Sequence, residues 1–347
     1  MELVVEEHDM PLRVGLAGLG NAGFQVHGEV LRHLNGARLV AASDPVAGRR
    51  AEAERRYGCR TVAAYEELLA LPEVELVTVA TPHPLHHTMA IQALEAGKHV
   101  LVEKPMALDL GQASAMVEAA RAAGRLLCVY QNWRYMPDLA PIRALIDAGA
   151  IGRPRRIETR FLWLPYRAMG EEPTVFSGRW QDSWNLRRGS GGGSLPMFGP
   201  HLIDQLLFAL DYRPRRVYGV IQDIVGDDDY VQALFEDDDG VVAEVEINLA
   251  AFAGQKDRWF ILGTEGVIAG GDRLCVRRID EAEPRPVEVA ADPRGEFVGS
   301  GERIYLNLRR AIREGAPLEI RPEQTLETMR VMDAIQRSAS NRQPIDL

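Results

Sequence analysis

The ionisable groups best placed by their surroundings to do chemistry are Lys104, in Glu103-Lys104-Pro105, and His201, in Gly199-x-His201-x-x-Asp204. A lysine ammonium can hydrogen-bond a reacting oxygen and stabilise the alkoxide that develops there. A desolvated lysine can instead take the proton itself. Histidine, with an ordinary pKa of about 6.5, suits a general base near neutrality. Met197, His201 and Asp204 are spaced i, i+4, i+7 and so share one helical face. On spacing alone His201 reads first as a buried helix histidine bonded to a neighbour. Asp204 could accept a hydrogen bond from a substrate hydroxyl or orient its neighbours. Met197 most simply packs against a ligand or the core.

A second constellation suits a dinucleotide. Leu12 to Ala17 is an apolar run broken only by Arg13, and it leads into Gly18-Leu19-Gly20-Asn21-Ala22-Gly23. A helical pattern follows from Asn21 to about Leu34. Strand, G-x-G-x-x-G and helix in that order is the context a dinucleotide fingerprint requires. The glycines make the tight turn, admit a pyrophosphate and seat the helix on the strand. The free N–H groups near Asn21 and Ala22 and the positive end of the helix dipole face the phosphates. Asp44 lies 21 residues after Gly23, at the end of the strand Arg38 to Ser43. A carboxylate there holds the adenosine ribose hydroxyls and repels a 2′-phosphate, which favours NAD over NADP. Arg49 and Arg50 pull the other way, since an arginine can accept that phosphate. Asp44 before Pro45 would also suit a simple helix start.

These residues need a scaffold, and the alternation of short apolar runs with helical patterns supplies one. His99 to Val102 reads as a buried parallel strand that Pro105 stops. Ligands of open α/β sheets sit beyond the carboxyl ends of the strands, which puts Glu103 and Lys104 at the mouth of a site. Glu103 would pair with cofactor or with Lys104. Glu75 to Ala80 is another strand, ending in Thr81-Pro82-His83-Pro84-Leu85-His86-His87, with a helix to about Ala96. A helix from about Asp109 to Ala123 and a strand from Leu126 to Tyr130 complete a doubly wound parallel sheet. The three histidines lack a carboxylate or cysteine partner at ligand spacing, so no metal is expected. They are expected to line the loop over the cofactor.

Pro137 to Ala148 then reads as a helix and Ile151 to Leu164 as a long strand. A polar, aromatic loop, Pro165 to Arg188, carries Arg179, Trp180, Trp184 and Arg187. Trp184 and Arg187 could bind substrate there, or the aromatics could build a subunit contact. A helix from about Leu195 to Leu210 carries Met197, His201 and Asp204. Strands at Val217 to Ile224, Tyr230 to Glu236, Val241 to Leu249, Trp259 to Leu262, Val267 to Ala269 and Leu274 to Val276 follow. Asp237 to Gly240 is a hairpin turn, and helices at about Glu302 to Glu314 and Pro322 to Ser338 end the chain. Residues 1–131 are expected to form an α/β Rossmann domain. Residues 132–347 are expected to form an α+β domain with a large, mostly antiparallel open sheet.

Composition narrows the partners. The chain has 347 residues and a formal net charge of −10, which argues against nucleic acid. Cys59, Cys128 and Cys275 are too few and too scattered for a disulfide framework. The first ten residues are acidic and lack a signal-peptide pattern, and no apolar run approaches a membrane span. A reducing, cytoplasmic setting is the expectation.

With these motifs in hand, the chain resembles the glucose–fructose oxidoreductase / inositol dehydrogenase / MocA (Gfo/Idh/MocA) family of NAD(P)-dependent oxidoreductases. The residues that carry the likeness are Gly18 to Gly23, Thr81-Pro82 with His86, Ala96 to Pro105, Asn132-Trp133-Arg134-Tyr135, Gly191 to Gly193, and Gly199, His201 and Asp204. The resemblance implies a substrate that is a sugar, polyol or glycoside with a secondary hydroxyl or ketone. It implies Lys104 and His201 as catalytic residues. Gly18, Gly20, Asn21, Ala22, Gly23, Asp44, Arg49, Thr81, Pro82, His86, Glu103, Lys104 and Asn132 would line the cofactor. Lys104, Arg134, Trp184, Arg187, Met197, His201 and Asp204 would line the substrate. Relatives typically carry an aspartate where this chain has Met197, so the usual lysine–aspartate–histidine proton relay lacks a member here. A homodimer or homotetramer is expected. Two other readings are kept: an NAD-retaining glycoside-cleaving enzyme, and a non-catalytic NAD-binding sensor.

Overall fold

The computed structural model describes residues 10–162, 188–224, 228–249, 257–271, 273–290 and 296–347. They form two units. One runs to Asn132 and takes back the segment that ends at Leu326; the other holds the rest.

The first unit is built on parallel strands β1 (Leu12–Ala17), β2 (Ala37–Ser43), β3 (Arg60–Val62), β4 (Leu76–Val79), β5 (His99–Val102) and β6 (Leu127–Val129), in the order β3-β2-β1-β4-β5-β6. Helices between parallel strands cover both faces of such a sheet, so its central strands are apolar throughout. Accordingly Leu12, Val14, Leu16, Leu76, Val77, Val79, Val100, Leu101 and Val102 are all fully buried. The order reverses between β1 and β4, and the crevice at such a switch point is where an open sheet binds ligands.

The crossovers are a π-helical turn, Ala22–Gly28, running into α1 (Glu29–His33), then α2 (Ala47–Tyr57), α3 (Tyr65–Leu69), α4 (His83–Glu95) and α5 (Leu110–Ala123). The expected helix after the glycines is present, but its first half is wound with i→i+5 bonds. β3, α2 and α3 extend the pattern beyond what alternation indicated, because β3 is short and only part-buried.

The returning element of this unit is α8 (Glu296–Glu314). It starts well before the expected Glu302. Gly299 and Gly301 weaken the helical signal there, but Gly301 has a packing reason. A Cβ at 301 would lie 2.4 Å from the Tyr130 hydroxyl and 2.7 Å from Val30 Cγ2. The small residue lets α8 lie down on the sheet and brings Tyr305 inside.

The second unit contains α6 (Leu139–Asp147), β7 (Pro154–Leu162), α7 (Ser194–Asp204) and strands β8 (Arg216–Gln222) to β10 (Val242–Asn248) through β9 (Tyr230–Glu236). β11 (Trp259–Gly263), β12 (Gly266–Gly270), β13 (Cys275–Arg278), β14 (Arg285–Pro286), α9 (Pro322–Asn341) and β15 (Ile345–Asp346) follow. The sheet order is β14-β13-β12-β11-β7-β10-β9-β8-β15. Only the β7–β10 pairing is parallel; the rest are antiparallel. The β9–β10 hairpin turns at Asp237 to Gly240, where Asp237 Oδ1 accepts the N–H groups of Asp239 (2.9 Å) and Val241 (2.8 Å).

One face of this sheet is apolar: Val217, Val231, Ala233, Phe235, Ala243, Val245, Ile247 and Ile261 are buried. α9 reaches that face at Gly219, where a Cβ would meet Ile335 O at 2.6 Å. The opposite face carries Arg156, Glu158, Arg160, Glu244 and Glu246, linked as ion pairs. The alternation is what a half-exposed strand demands. Among the described residues, no helix is long and apolar enough to cross a membrane, and no group of three histidine, cysteine, aspartate or glutamate side chains could hold a metal.

One part-buried corner fixes α8 to the sheet. Glu75, just before β4, accepts the Arg13 N–H (3.1 Å), Arg13 Nε (3.0 Å) and both Arg313 terminal nitrogens (2.8 Å each). Burial pushes its pKa up, but these donors outweigh burial and hold it at about 2 against an ordinary 4.5. A depressed carboxyl stabilises the fold fully above its unfolded pKa and loses that contribution as pH falls towards the folded value. Glu75→Gln is expected to cost about 2 kcal/mol near neutrality, measured by chemical denaturation. The gap to wild type should close between pH 4.5 and about 2. A gap that stays constant to the acid end would mean that the carboxylate charge does not hold this corner.

Candidate active site

The turn after β1 is shaped by its glycines. Gly18 has φ +94°, and a Cβ on it would strike Ala80 O at 2.5 Å. A Cβ at Gly23 would sit 2.1 Å from Gly18 O, so the helix lies hard against the turn. At Gly20 nothing among the described residues lies within 4 Å of the Cβ position, so the turn presents open backbone there. Two tight glycines around one open one are the pattern a pyrophosphate cradle needs. The residues present therefore fit a dinucleotide. Thr81 Oγ1, at the end of β4, agrees: it is buried and has no hydrogen-bond partner among the described residues.

Asp44 is buried at the end of β2 and tied to this turn. Its Oδ2 accepts the Leu19 N–H at 2.9 Å and its Oδ1 accepts the Val46 N–H at 2.8 Å. Arg49 Nη1 lies 3.5 Å from Oδ2 with a half-exposed side chain. Arg50 is spent on backbone, donating to Asp44 O (2.8 Å) and Pro45 O (3.0 Å). Of the two arginines, Arg49 is thus the one beside the Asp44 carboxylate.

Pro82 precedes α4, and His86 lies within that helix rather than on an open loop. The His86 ring is fully buried, with Nδ1 2.8 Å from Pro105 O and Nε2 2.9 Å from Thr81 O. The imidazole lies between the loops that follow β4 and β5; burial lowers its pKa and favours the neutral ring, which donates its single N–H to one of the two carbonyls. Asn132 is buried at the start of a 3₁₀ turn, Asn132–Tyr135.

Glu103 was expected to pair with cofactor or with Lys104, and its contacts include the Lys104 backbone. Its Oε1 lies 3.2 Å from His27 Nε2, and its Oε2 accepts the Lys104 backbone N–H at 3.0 Å. Burial raises its pKa, but the hydrogen bond from His27 and the charge of Lys104 bring it out below the usual value. Burial pushes the Lys104 ammonium down from its usual pKa, and Glu103 pulls it back up. His27 is a residue that sequence reasoning missed. The signal was a histidine within the stripe Gly23, His27, Val30, Leu31, at i, i+4, i+7, i+8, all of them buried. A second overlooked signal concerns Lys104 itself. The chain has 40 lysines and arginines, and Lys98, Lys104 and Lys256 are its only lysines. A lysine in so arginine-biased a chain points to chemistry a guanidinium cannot do, because arginine does not give up its proton.

In the second unit α7 carries Met197, His201 and Asp204, all buried. His201 stacks flat on Trp133, with centroids 4.3 Å apart and planes 11° from parallel. Phe161 and Phe198 stack beside them at 4.1 Å. Asp204 is fully buried in a bidentate pair with Arg134, at 2.8 Å to Nε and 2.5 Å to Nη2. Of its two possible roles the orienting one holds: it fixes the Arg134 guanidinium, which also lies 4.8 Å over Phe208. Gln205 Nε2 holds Trp133 O at 2.6 Å, and Arg258 donates to both Gln205 and Asp138 at 2.8 Å. The aromatic shelf under His201 is thereby fixed by hydrogen bonds on several sides. Trp184 and Arg187 lie outside the described residues.

Comparison with known proteins agrees with this architecture. Residues 12–131 match the oxidoreductase family model with an NAD-binding Rossmann fold, and residues 139–269 match the GFO/IDH/MocA C-terminal domain. An uncharacterized oxidoreductase of Rhizobium meliloti is 29% identical over 94% of this chain and 97% of its own length. A scyllo-inositol 2-dehydrogenase (NADP(+)) of Bacillus subtilis is 27% identical over 97% of this chain and 96% of its own. The solved structure of levoglucosan dehydrogenase in complex with NADH and levoglucosan superposes with a TM-score of 0.82, at 25% identity, over 97% of this chain and 99% of that one. With a glycine cradle at a Rossmann switch point, an aromatic-backed helix in the second unit, and both domains matched, the chain belongs to the Gfo/Idh/MocA family of NAD(P)-binding oxidoreductases.

Proposed function

We propose that this chain is an NAD-preferring dehydrogenase or reductase acting on a secondary hydroxyl or ketone of a sugar, polyol or glycoside. The observation that carries the reading is that one parallel sheet holds a dinucleotide cradle beyond β1 and an ionisable amine beyond β5. Relatives named for scyllo-inositol and for levoglucosan support the substrate class. Their names mention NADP and NADH, so the preference for NAD rests on Asp44.

In this reading Gly18, Gly20, Asn21, Ala22 and Gly23 hold the pyrophosphate. Asp44 holds the ribose hydroxyls, and Thr81, Pro82 and Asn132 complete the cofactor contacts. When bound, the nicotinamide supplies or accepts the hydride. Lys104 donates a hydrogen bond to the substrate oxygen, and its ammonium stabilises the alkoxide. His201 acts as the general base, its ring plane held by Trp133. Arg134, oriented by Asp204, binds a substrate hydroxyl, and Met197 supplies an apolar contact. With no aspartate at 197, no carboxylate lies one helical turn before His201, so the histidine does its proton work without that partner. Assembly as a homodimer or homotetramer is part of the proposal. The exposed Tyr218, Leu234 and Leu262 on the outer face of the second sheet support it.

Two substitutions test these roles. Lys104→Ala should lower kcat by about a hundred- to a thousandfold, while fluorescence titration shows NAD still bound. Turnover close to wild type would remove Lys104 from the chemistry. Asp44→Ala should weaken NAD by about ten- to a hundredfold, the worth of a lost charged hydrogen bond, and leave NADP nearly unaffected. Equal weakening of both cofactors would take Asp44 out of ribose recognition.

A further inference from the structure

The carboxylate beside Lys104 is the end of a buried chain of polar groups in the first unit. Thr78 Oγ1 lies 2.9 Å from the Tyr305 hydroxyl, which lies 3.0 Å from His27 Nδ1. His27 Nε2 is 3.2 Å from Glu103 Oε1, and Glu103 Oε2 accepts the Lys104 N–H. Thr78, Tyr305 and His27 are fully buried. The four groups come from four different elements: β4, α8, the π-helical turn after the glycines, and the end of β5. One set of proton positions satisfies every link with a neutral imidazole. Thr78 O–H donates to Tyr305, Tyr305 O–H to His27 Nδ1, and His27 Nε2–H to Glu103.

We propose that His27 and Tyr305 are positioning residues that hold the Glu103 carboxylate ionised and in place beside Lys104, and so govern how readily that lysine gives up its proton. A buried carboxylate without donors protonates; one with donors stays charged. Without His27, burial would dominate at Glu103, and the neighbouring amine would lose the negative charge that opposes its own desolvation. A purely structural role would be served as well by apolar packing, since buried polar networks contribute little over hydrophobic replacements. Among the described residues, the other titratable groups that face this carboxylate are few. Tyr130, at the end of β6, packs on His27 with centroids 4.5 Å apart. His86, on α4, faces both Glu103 and Lys104 and lies between the carbonyls of Thr81 and Pro105. Lys104 is the remaining one. The inference rests on the proposed role of Lys104, but its test does not require turnover.

The scarcity of lysine makes a direct test practical. The purified full chain is trace-labelled with acetic anhydride across a pH series, and peptide mass spectrometry reads the reactivity of each lysine. Lys98 is the internal reference, since its amine is occupied separately by Leu71 O and Val74 O. Glu103→Gln and His27→Leu should each lower the labelling midpoint of Lys104 by about one pH unit or more. His27→Gln, whose amide can donate in place of Nε2, should restore the wild-type midpoint. Tyr305→Phe, which keeps the ring and removes only the hydroxyl, should shift it less and in the same direction. A His27→Leu protein that melts like wild type and labels Lys104 with an unchanged midpoint overturns the proposal. If His27→Leu does not fold, an unchanged midpoint in Tyr305→Phe overturns it instead. Where a substrate is available, the pH profile of kcat/KM should move with the labelling midpoint. Failure to turn over any substrate would count against the dehydrogenase reading and leave the labelling result standing.

Discussion

The first helix approaches the turn before it so closely that a Cβ at Gly23 would sit 2.1 Å from Gly18 O. Much of the first unit follows from that contact. It leaves the backbone at Gly20 open, with no described atom within 4 Å of its Cβ position. It brings the Leu19 N–H to the Asp44 carboxylate. One turn further on it delivers His27 to the interior, against Glu103. A side chain larger than hydrogen at 23 would lift the helix, and the cradle, the ribose carboxylate and the lysine's neighbour would be disturbed together.

Buried carboxylates have a common use in this molecule. Asp44, Glu103 and Asp204 each sit in the interior, and each is satisfied by donors from distant parts of the chain. Ionised groups in such places are costly unless paired and hydrogen-bonded. Their return is orientation. Asp44 fixes the glycine turn, Glu103 sits at the base of Lys104, and Asp204 fixes the plane of Arg134. Each of these carboxylates thus holds in place a group that is proposed to meet a ligand.

Much of this organisation was legible in the sequence. The apolar run, glycine turn and helix of the first unit were visible because parallel strands are buried on both faces and carry an unbroken apolar signal. Asp44 and Lys104 were visible because strand ends are where such sheets bind ligands. Other features were hidden for identifiable reasons. The early start of α8 was masked by Gly299 and Gly301, whose smallness serves packing against Tyr130 and Val30. The Arg134–Asp204 pair joins residues 70 positions apart, so no local pattern announces it. The same holds for His27 and Tyr305, separated by 278 positions. His86 was expected on the loop over the cofactor; its position within α4, between the carbonyls of Thr81 and Pro105, depends on a contact 19 residues away that no local pattern announces.

The central claim is that this scaffold exchanges a hydride between a nicotinamide and a carbohydrate hydroxyl. The most direct measurement is absorbance at 340 nm with purified protein, NAD and then NADP, across a panel of inositols, sugars and anhydrosugars. The account predicts a substrate-dependent rise, larger with NAD, for at least one member of the panel. Tight NAD binding with no rise for any of them, and no fall when NADH is offered with the corresponding ketones, would contradict it.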